Sequence, residues 1–224
     1  MLKKSKDVFS DTLKNFFQSK DYEEKLKCFK QDELTEKKKR IYNNFILADF
    51  PKNIQKYSLE DFKNKNFNKQ YSIAMKFLNN EIKKNGLFLV GNVGSGKTTL
   101  ACAIGKELIK RQKKVKFYIF LQLLLEIEET YSSNSTSTLK IIDSLCSQDL
   151  VILDDLGRES YTDKRKETIG LIFDKLSKNG IPLIVTANPE QMKEFKHISE
   201  FNSTLDRMKE MLYTVQFTNN SLRR

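Results

Sequence analysis

The sequence predicts an α/β fold: a five-stranded parallel sheet with flanking helices, preceded by a small helical N-terminal module. Three observations predict it. From Gly86 onward, short apolar runs alternate with amphipathic stretches at helical spacing. Before Gly86 there is no glycine, and before Pro51 no proline, so the opening segment carries only lysine-rich, helix-like patterns. Between the first apolar run and the first helix after it lies a glycine-rich turn, the connection expected where a buried strand feeds a helix.

Taken in order, residues 1–50 form the N-terminal module. Val8, Leu13, Phe16 and Phe17, then Tyr22, Leu26 and Phe29, recur at helical spacing among lysines. That stripe serves either as the module's own core or as a docking face for a partner. The stretch Asp32 to Arg40, ending in Lys37-Lys38-Lys39-Arg40, reads as a solvated helix or linker. Pro51 disfavours helical geometry at Phe50, so a boundary falls near Asp49–Asn53 and a linker covers 51–66. The main domain is expected over 67–224, opening with a helical pattern from about Lys69 to Lys84. Strands are expected at Leu87–Val90, Val115–Phe120, Leu150–Leu153, Ile181–Thr186 and Tyr213–Phe217. Helices are expected at Lys97–Arg111, Leu121–Tyr131, Leu139–Cys146, Lys164–Lys178 and Leu205–Met211, with a Ser/Thr-rich loop from Ser132 to Thr138.

The 224 residues hold 40 Lys and Arg against 29 Asp and Glu, a net charge of +11. This excess favours polyanionic partners, nucleic acid first and an acidic protein surface second. An AT-rich coding sequence, which inflates Lys and Asn, is the alternative source of the bias. A hydrophobic fraction of 39% is enough to bury a core. No apolar stretch approaches a membrane span, and Lys3, Lys4 and Lys6 lead into polar sequence rather than a signal peptide. A cytoplasmic protein with no membrane partner is expected. Cys28, Cys102 and Cys146 are widely spaced and odd in number, which suggests neither a disulfide framework nor a zinc site. His197 is the only histidine, which argues against His-based triads.

The sharpest motif is Gly91-Asn92-Val93-Gly94-Ser95-Gly96-Lys97-Thr98, a G-x-x-x-x-G-K-[ST] loop between a strand and a helix. Glycines let such a loop aim successive N–H groups at phosphate oxygens, and the following helix adds its positive N-terminal end. Lys97 is expected to reach the β- and γ-phosphates of a nucleoside triphosphate, and the Thr98 hydroxyl to ligate Mg²⁺. The nucleotide-binding run extends to Thr99. The second motif is Leu150–Leu153 followed by Asp154-Asp155. Carboxylates at a buried strand end call for a nearby cation, so Asp154 is expected to hold Mg²⁺ through its water shell and Asp155 to orient the attacking water. The plain alternative is an acid pair capping the turn into Gly157. The third, Thr186-Ala187-Asn188, closes another strand at the same sheet edge; Asn188 either holds the lytic water with Asp155 or caps the turn before Pro189. Arg207 and Arg223 stand out among many lysines, because a guanidinium fork suits developing phosphate charge; each alone reads as a surface arginine, and only the constellation raises them.

Together these residues resemble the AAA+ ATPases of the DnaC/DnaI helicase-loader type, close relatives of the IstB transposition helpers. The shared runs are 91–101, Leu-Asp-Asp-Leu-Gly at 153–157, Thr-Ala-Asn at 186–188, Leu-Asp-Arg-Met at 205–208 and Ser-Leu-Arg at 221–223. The resemblance covers about 50–224 and is weak over the N-terminal module. It implies a P-loop NTPase of AAA+ type without a C-terminal helical lid, since about seven residues follow the last expected strand. By the resemblance, Arg207 is an arginine finger acting on ATP in a neighbouring subunit. Arg223 is a sensor arginine within its own subunit. The resemblance further implies ATP, self-association when ATP-bound, a grip on a replicative DNA helicase through the N-terminal module, and contact with single-stranded DNA. Lys113, Lys114 and Lys116 are candidate backbone contacts, or simply a solvated helix end.

The sequence departs from that pattern in two places. Asp155 stands where many AAA+ proteins have Glu, and the N-terminal segment lacks the cysteine cluster that binds zinc in some loaders. The expectation is an ATP-dependent helicase loader in DNA replication. An IstB-like transposition helper is the main alternative, and a small-molecule kinase and a nucleotide-dependent binding module without turnover are further rivals.

Overall fold

A computed structural model of the chain describes residues 20–63, 66–132 and 136–218. The chain divides into two units, Met1–Asn43 and Asn44–Arg224, and one continuous helix, α1 (Lys20–Ala48), runs through the division. The expected Asp32–Arg40 segment is therefore helix, not linker, and its side chains are exposed throughout. Val8, Leu13, Phe16 and Phe17 lie outside the described residues. The helix stops where the sequence breaks: Asp49 takes a left-handed φ of 58° and Pro51 follows.

Past that stop, the second unit begins its core. Phe50 is buried, with its ring edge-on to Phe45 at 6.0 Å and to Phe117 at 6.3 Å. A short 3₁₀ turn, Leu59–Phe62, leads into α2 (Asn68–Leu78). The sequence pattern carried this helix to Lys84, but it ends six residues earlier. Asn80 adopts φ 58° and the Glu81 amide donates to the Lys76 carbonyl at 2.8 Å, a left-handed cap that the charged residues beyond it conceal.

The sheet strands are β1 (Gly86–Gly91), β2 (Val115–Ile119), β3 (Leu150–Leu156), β4 (Leu183–Ala187) and β5 (Leu212–Phe217). They form one five-stranded parallel sheet in the order β2-β3-β4-β1-β5. The helices between them are α3 (Lys97–Lys110), α4 (Phe120–Glu129), α5 (Thr136–Cys146), α6 (Asp163–Lys178), α7 (Gln191–His197) and α8 (Asn202–Met211). Strand β4 starts at Leu183 rather than Ile181, because Pro182 has no N–H for the ladder.

Strand residues alternate between two packed faces. Val151 and Leu153 join Phe120, Leu124, Ile172 and Phe173 in one cluster under α4 and α6. Ile152 faces α3, where a side chain on Gly105 would meet its Cδ1 at 3.2 Å and the Phe50 ring at 2.9 Å. Gly105 is what lets this helix lie so close to the sheet. Helix α7, which the sequence pattern did not indicate, is fixed by Phe195, stacked on Phe201 at 4.1 Å with Tyr161 edge-on to both. Helix α6 is capped as its sequence suggests, with the Arg165 amide donating to the Thr162 hydroxyl, Asp163 in the first turn, and Lys175 and Lys178 in the last. No helix among the described residues is long and apolar enough to cross a membrane.

Candidate functional site

Strand order decides which loops meet. Strand β4 lies between β1 and β3, so the carboxyl ends of all three open at one rim, where parallel α/β sheets bind ligands. The loop after β1 is the glycine motif. Gly94 and Gly96 take φ of 78° and 98°, angles that L side chains rarely adopt, and Gly96 is the N-cap of α3. At Gly91 a side chain would meet Phe217 on β5 at 2.6 Å, so glycine is also required by close approach.

Within the loop, Lys97 is buried and its Nζ donates to the Gly91 carbonyl at 2.8 Å and the Asn92 carbonyl at 2.9 Å. The Ser95 Oγ is buried with no hydrogen-bond partner among the described residues. A cradle of amide donors at a helix start, with a lysine and an unmatched hydroxyl, fits a phosphate chain.

The link to β3 is direct. Thr98 Oγ1 donates to Asp154 Oδ1 at 2.7 Å, joining the two motifs across 56 positions of sequence. From β4, Thr186 Oγ1 donates to the same oxygen at 2.7 Å, and the Asp155 amide donates to Thr186 Oγ1 at 3.0 Å. Asp154 is buried, and that burial, with the charge of Asp155 beside it, lifts its carboxyl above the usual range. The two hydroxyl bonds and Lys97 pull the other way. A hydroxyl and a buried carboxylate, both hard oxygen donors, fit Mg²⁺ completed by phosphate and water. Among the described residues no cluster of three or more His, Cys, Asp or Glu offers a metal site of another kind.

Asp155 has φ 65° and its Oδ2 pairs with the exposed Arg158 at 3.2 Å. Next to Arg158 in the chain, Glu159 is buried and accepts from the Gly157 amide through both oxygens, at 3.3 and 3.2 Å. Burial lifts its carboxyl also. Asn188 stands at the end of β4 on the same rim, where its Oδ1 accepts from the Glu190 amide at 3.1 Å. That is the turn-capping role weighed from the sequence. Asn92, Val93 and Thr99 complete the loop and the first turn of α3, with Val93 exposed.

The remaining sequence candidates lie elsewhere. Arg207 on α8 pairs with Asp174 Oδ1 of α6 at 2.8 Å, and Lys178 holds the other oxygen at 2.7 Å. Helix α8 runs straight into Leu212, which is in register with Gly86 at the amino end of β1. Arg207 therefore sits toward the sheet edge opposite its own phosphate loop. Arg223 lies outside the described residues. Lys113 and Lys116 are occupied: Lys113 pairs with Asp149 at 3.0 Å, and Lys116 donates to the Leu47 carbonyl at 3.3 Å. The Lys114 amide also bonds Asp149. Sequence reasoning assigned no role to Thr186, Arg158, Glu159 or Asp174. A hydroxyl closing an otherwise apolar strand was the available signal for Thr186; the others needed the fold.

The comparisons with known proteins agree with this geometry. Residues 10–224 match the model of the family described as IstB-like ATP binding protein. A 104-residue stretch is 29% identical to the replicative helicase loader DnaC of Escherichia coli strain K12, covering 46% of this chain and 42% of that protein. The match thus spans less than half the length of this curated relative. Among solved structures, DnaI superposes with a TM-score of 0.62 at 25% identity, over 78% of this chain and 95% of the other. The DnaC helicase loader gives 0.63 at 22% identity, over 75% and 100%, a likeness of fold.

Proposed function

From the premise that this chain belongs to the family of IstB-like ATP binding proteins, we propose that it is a Mg²⁺-dependent ATPase that delivers a replicative helicase onto single-stranded DNA. The observation that carries the catalytic half is the 2.7 Å bond joining Thr98 of the phosphate loop to Asp154 at the end of β3. Similarity to a replicative helicase loader supports the biological half.

In this reading Lys97 exchanges its two loop carbonyls for β- and γ-phosphate oxygens, a swap of equivalent acceptors around a cation already in place. Thr98 and Asp154 hold Mg²⁺, which neutralises charge on the phosphates when bound. Asp155 orients the attacking water and takes its proton, after its carboxylate leaves the exposed Arg158. Asn188 assists at the same rim through its amide nitrogen, its oxygen being used in the turn. Arg207, directed away from its own nucleotide, serves the γ-phosphate of a neighbouring subunit, and Arg223 contacts nucleotide in its own. This implies assembly in the ATP-bound state. The segment 1–50 supplies the helicase grip, 51–66 the linker and 67–224 the ATPase.

A second reading, an ATPase helper of DNA transposition, is favoured by the family match itself. Affinity purification of the full chain with ATP, from the cell that encodes it, separates the two. Recovery of a replicative helicase, with preference for single-stranded over double-stranded DNA held across a salt series, supports the loader. Recovery of a transposase with preference for duplex overturns it.

A further inference from the structure

We propose that Thr186 is a positioning residue for hydrolysis, pinning a β-bulge that aims Asp155 and orders Asp154; the catalytic part rests on the ATPase reading above. The register between β3 and β4 is the starting observation. Leu153 pairs with Val185 and Leu156 with Ala187, so two residues of β3, Asp154 and Asp155, stand opposite one residue of β4, Thr186. An extra residue in one strand breaks the ladder, bends the strand and re-aims side chains, and such bulges gather beside functional sites.

Here the missing ladder bond is replaced by a side chain. Thr186 is 1% exposed, and its one hydroxyl works in both directions. It accepts from the Asp155 amide at 3.0 Å and donates to Asp154 Oδ1 at 2.7 Å. A hydroxyl has one proton and two lone pairs, so only serine or threonine can make both bonds from this position. Without it, a part-buried amide loses its partner and the Asp154 carboxylate keeps one of its two hydroxyl donors, Thr98.

Asp155 itself shows what is being held. Its φ of 65° is unfavourable for a residue with a side chain and persists only where the surroundings enforce it. In an unbroken strand Asp155, two residues after Leu153, would share the Leu153 face; the extra residue shifts the alternation, so that Leu156 resumes the Leu153 cluster in its place. The hydroxyl that bonds the Asp155 amide thus holds the bulged backbone from which its carboxylate projects, while Arg158 pairs with the carboxylate itself.

The test uses the full chain with Thr186→Val, which keeps the shape and removes the hydroxyl, and Thr186→Ser, which keeps the hydroxyl. Thr186→Val is expected to lower kcat by roughly tenfold to a hundredfold. Its ATP affinity, measured without magnesium, should stay at the wild-type value. In the nucleotide-free protein, exchange of the Asp155 amide, followed by NMR, should be faster in Thr186→Val and close to wild type in Thr186→Ser. Wild-type amide exchange in Thr186→Val, or a serine variant as impaired as the valine one, overturns the proposal. If wild type hydrolyses no ATP with helicase and DNA present, the ATPase reading fails; the exchange comparison then still decides whether Thr186 pins the bulge. Should Thr186→Val not fold, Thr186→Ala replaces it under the same two expectations.

Discussion

Replacing Asp154 by asparagine should make the nucleotide-free protein more stable while removing its response to magnesium. Asp154 is 8% exposed, and burial keeps its carboxyl protonated to higher pH than in the unfolded chain, where the reference value is 3.8. Each pH unit of that elevation costs about 1.4 kcal/mol at neutral pH. Asparagine has nearly the same shape and can still accept the Thr98 and Thr186 hydroxyls at the oxygen that takes both at 2.7 Å. The sign follows from linkage. The folded state binds the extra proton, so wild-type stability falls as pH rises from 3.8 through the folded pKa. The advantage of Asp154→Asn is therefore absent below pH 3.8, grows above it, and is complete once the pH has passed the raised folded-state pKa. Each kcal/mol moves the melting point of a chain this size by about 2–4 °C. Ligand at a hundred times its Kd adds about 2.7 kcal/mol. Thermal melts without nucleotide, with ATP and chelator, and with Mg·ATP read all three effects. An Asp154→Asn variant that melts below wild type without nucleotide at neutral pH, or gains as much from Mg·ATP as wild type, refutes the reasoning.

Other substitutions separate the remaining roles. Asp155→Asn should keep ATP binding and lower kcat by about 10²–10⁴-fold, read by phosphate release. Arg207→Ala should leave ATP binding by the monomer unchanged and lower hydrolysis in assembled samples by on the order of 10³-fold; equal activity of mutant and wild-type assemblies removes the trans-acting assignment. Phe50→Ala, which empties a space shared with Phe45, Phe117 and Gly105, should destabilise the second unit by about 3–5 kcal/mol in urea unfolding.

The sheet and its two chief motifs were legible because their physics is local. A phosphate loop needs its glycines, lysine and threonine within one turn, and a buried strand ending in acids is a contiguous pattern. The ends of elements were less legible where one residue overrides its neighbours, as Pro182 does before strand β4 and Asn80 after helix α2. Helix α7 spans only Gln191–His197, too short for a period to show, and is held by aromatic stacking with Phe201 and Tyr161. The bulge at Asp154-Asp155 exists only as a relation between two strands, so no reading of β3 alone reveals it. The same holds for Lys113, whose partner Asp149 lies 36 residues away, and for Arg207, whose partner Asp174 sits on another helix.

The central claim is that the glycine loop and the β3 aspartates hold one Mg·ATP between them. Isothermal titration of Mg·ATP into wild type and Lys97→Ala tests it most directly. A saturable heat in wild type that disappears in Lys97→Ala is expected. No heat from folded wild type, or equal binding by the two proteins, contradicts it.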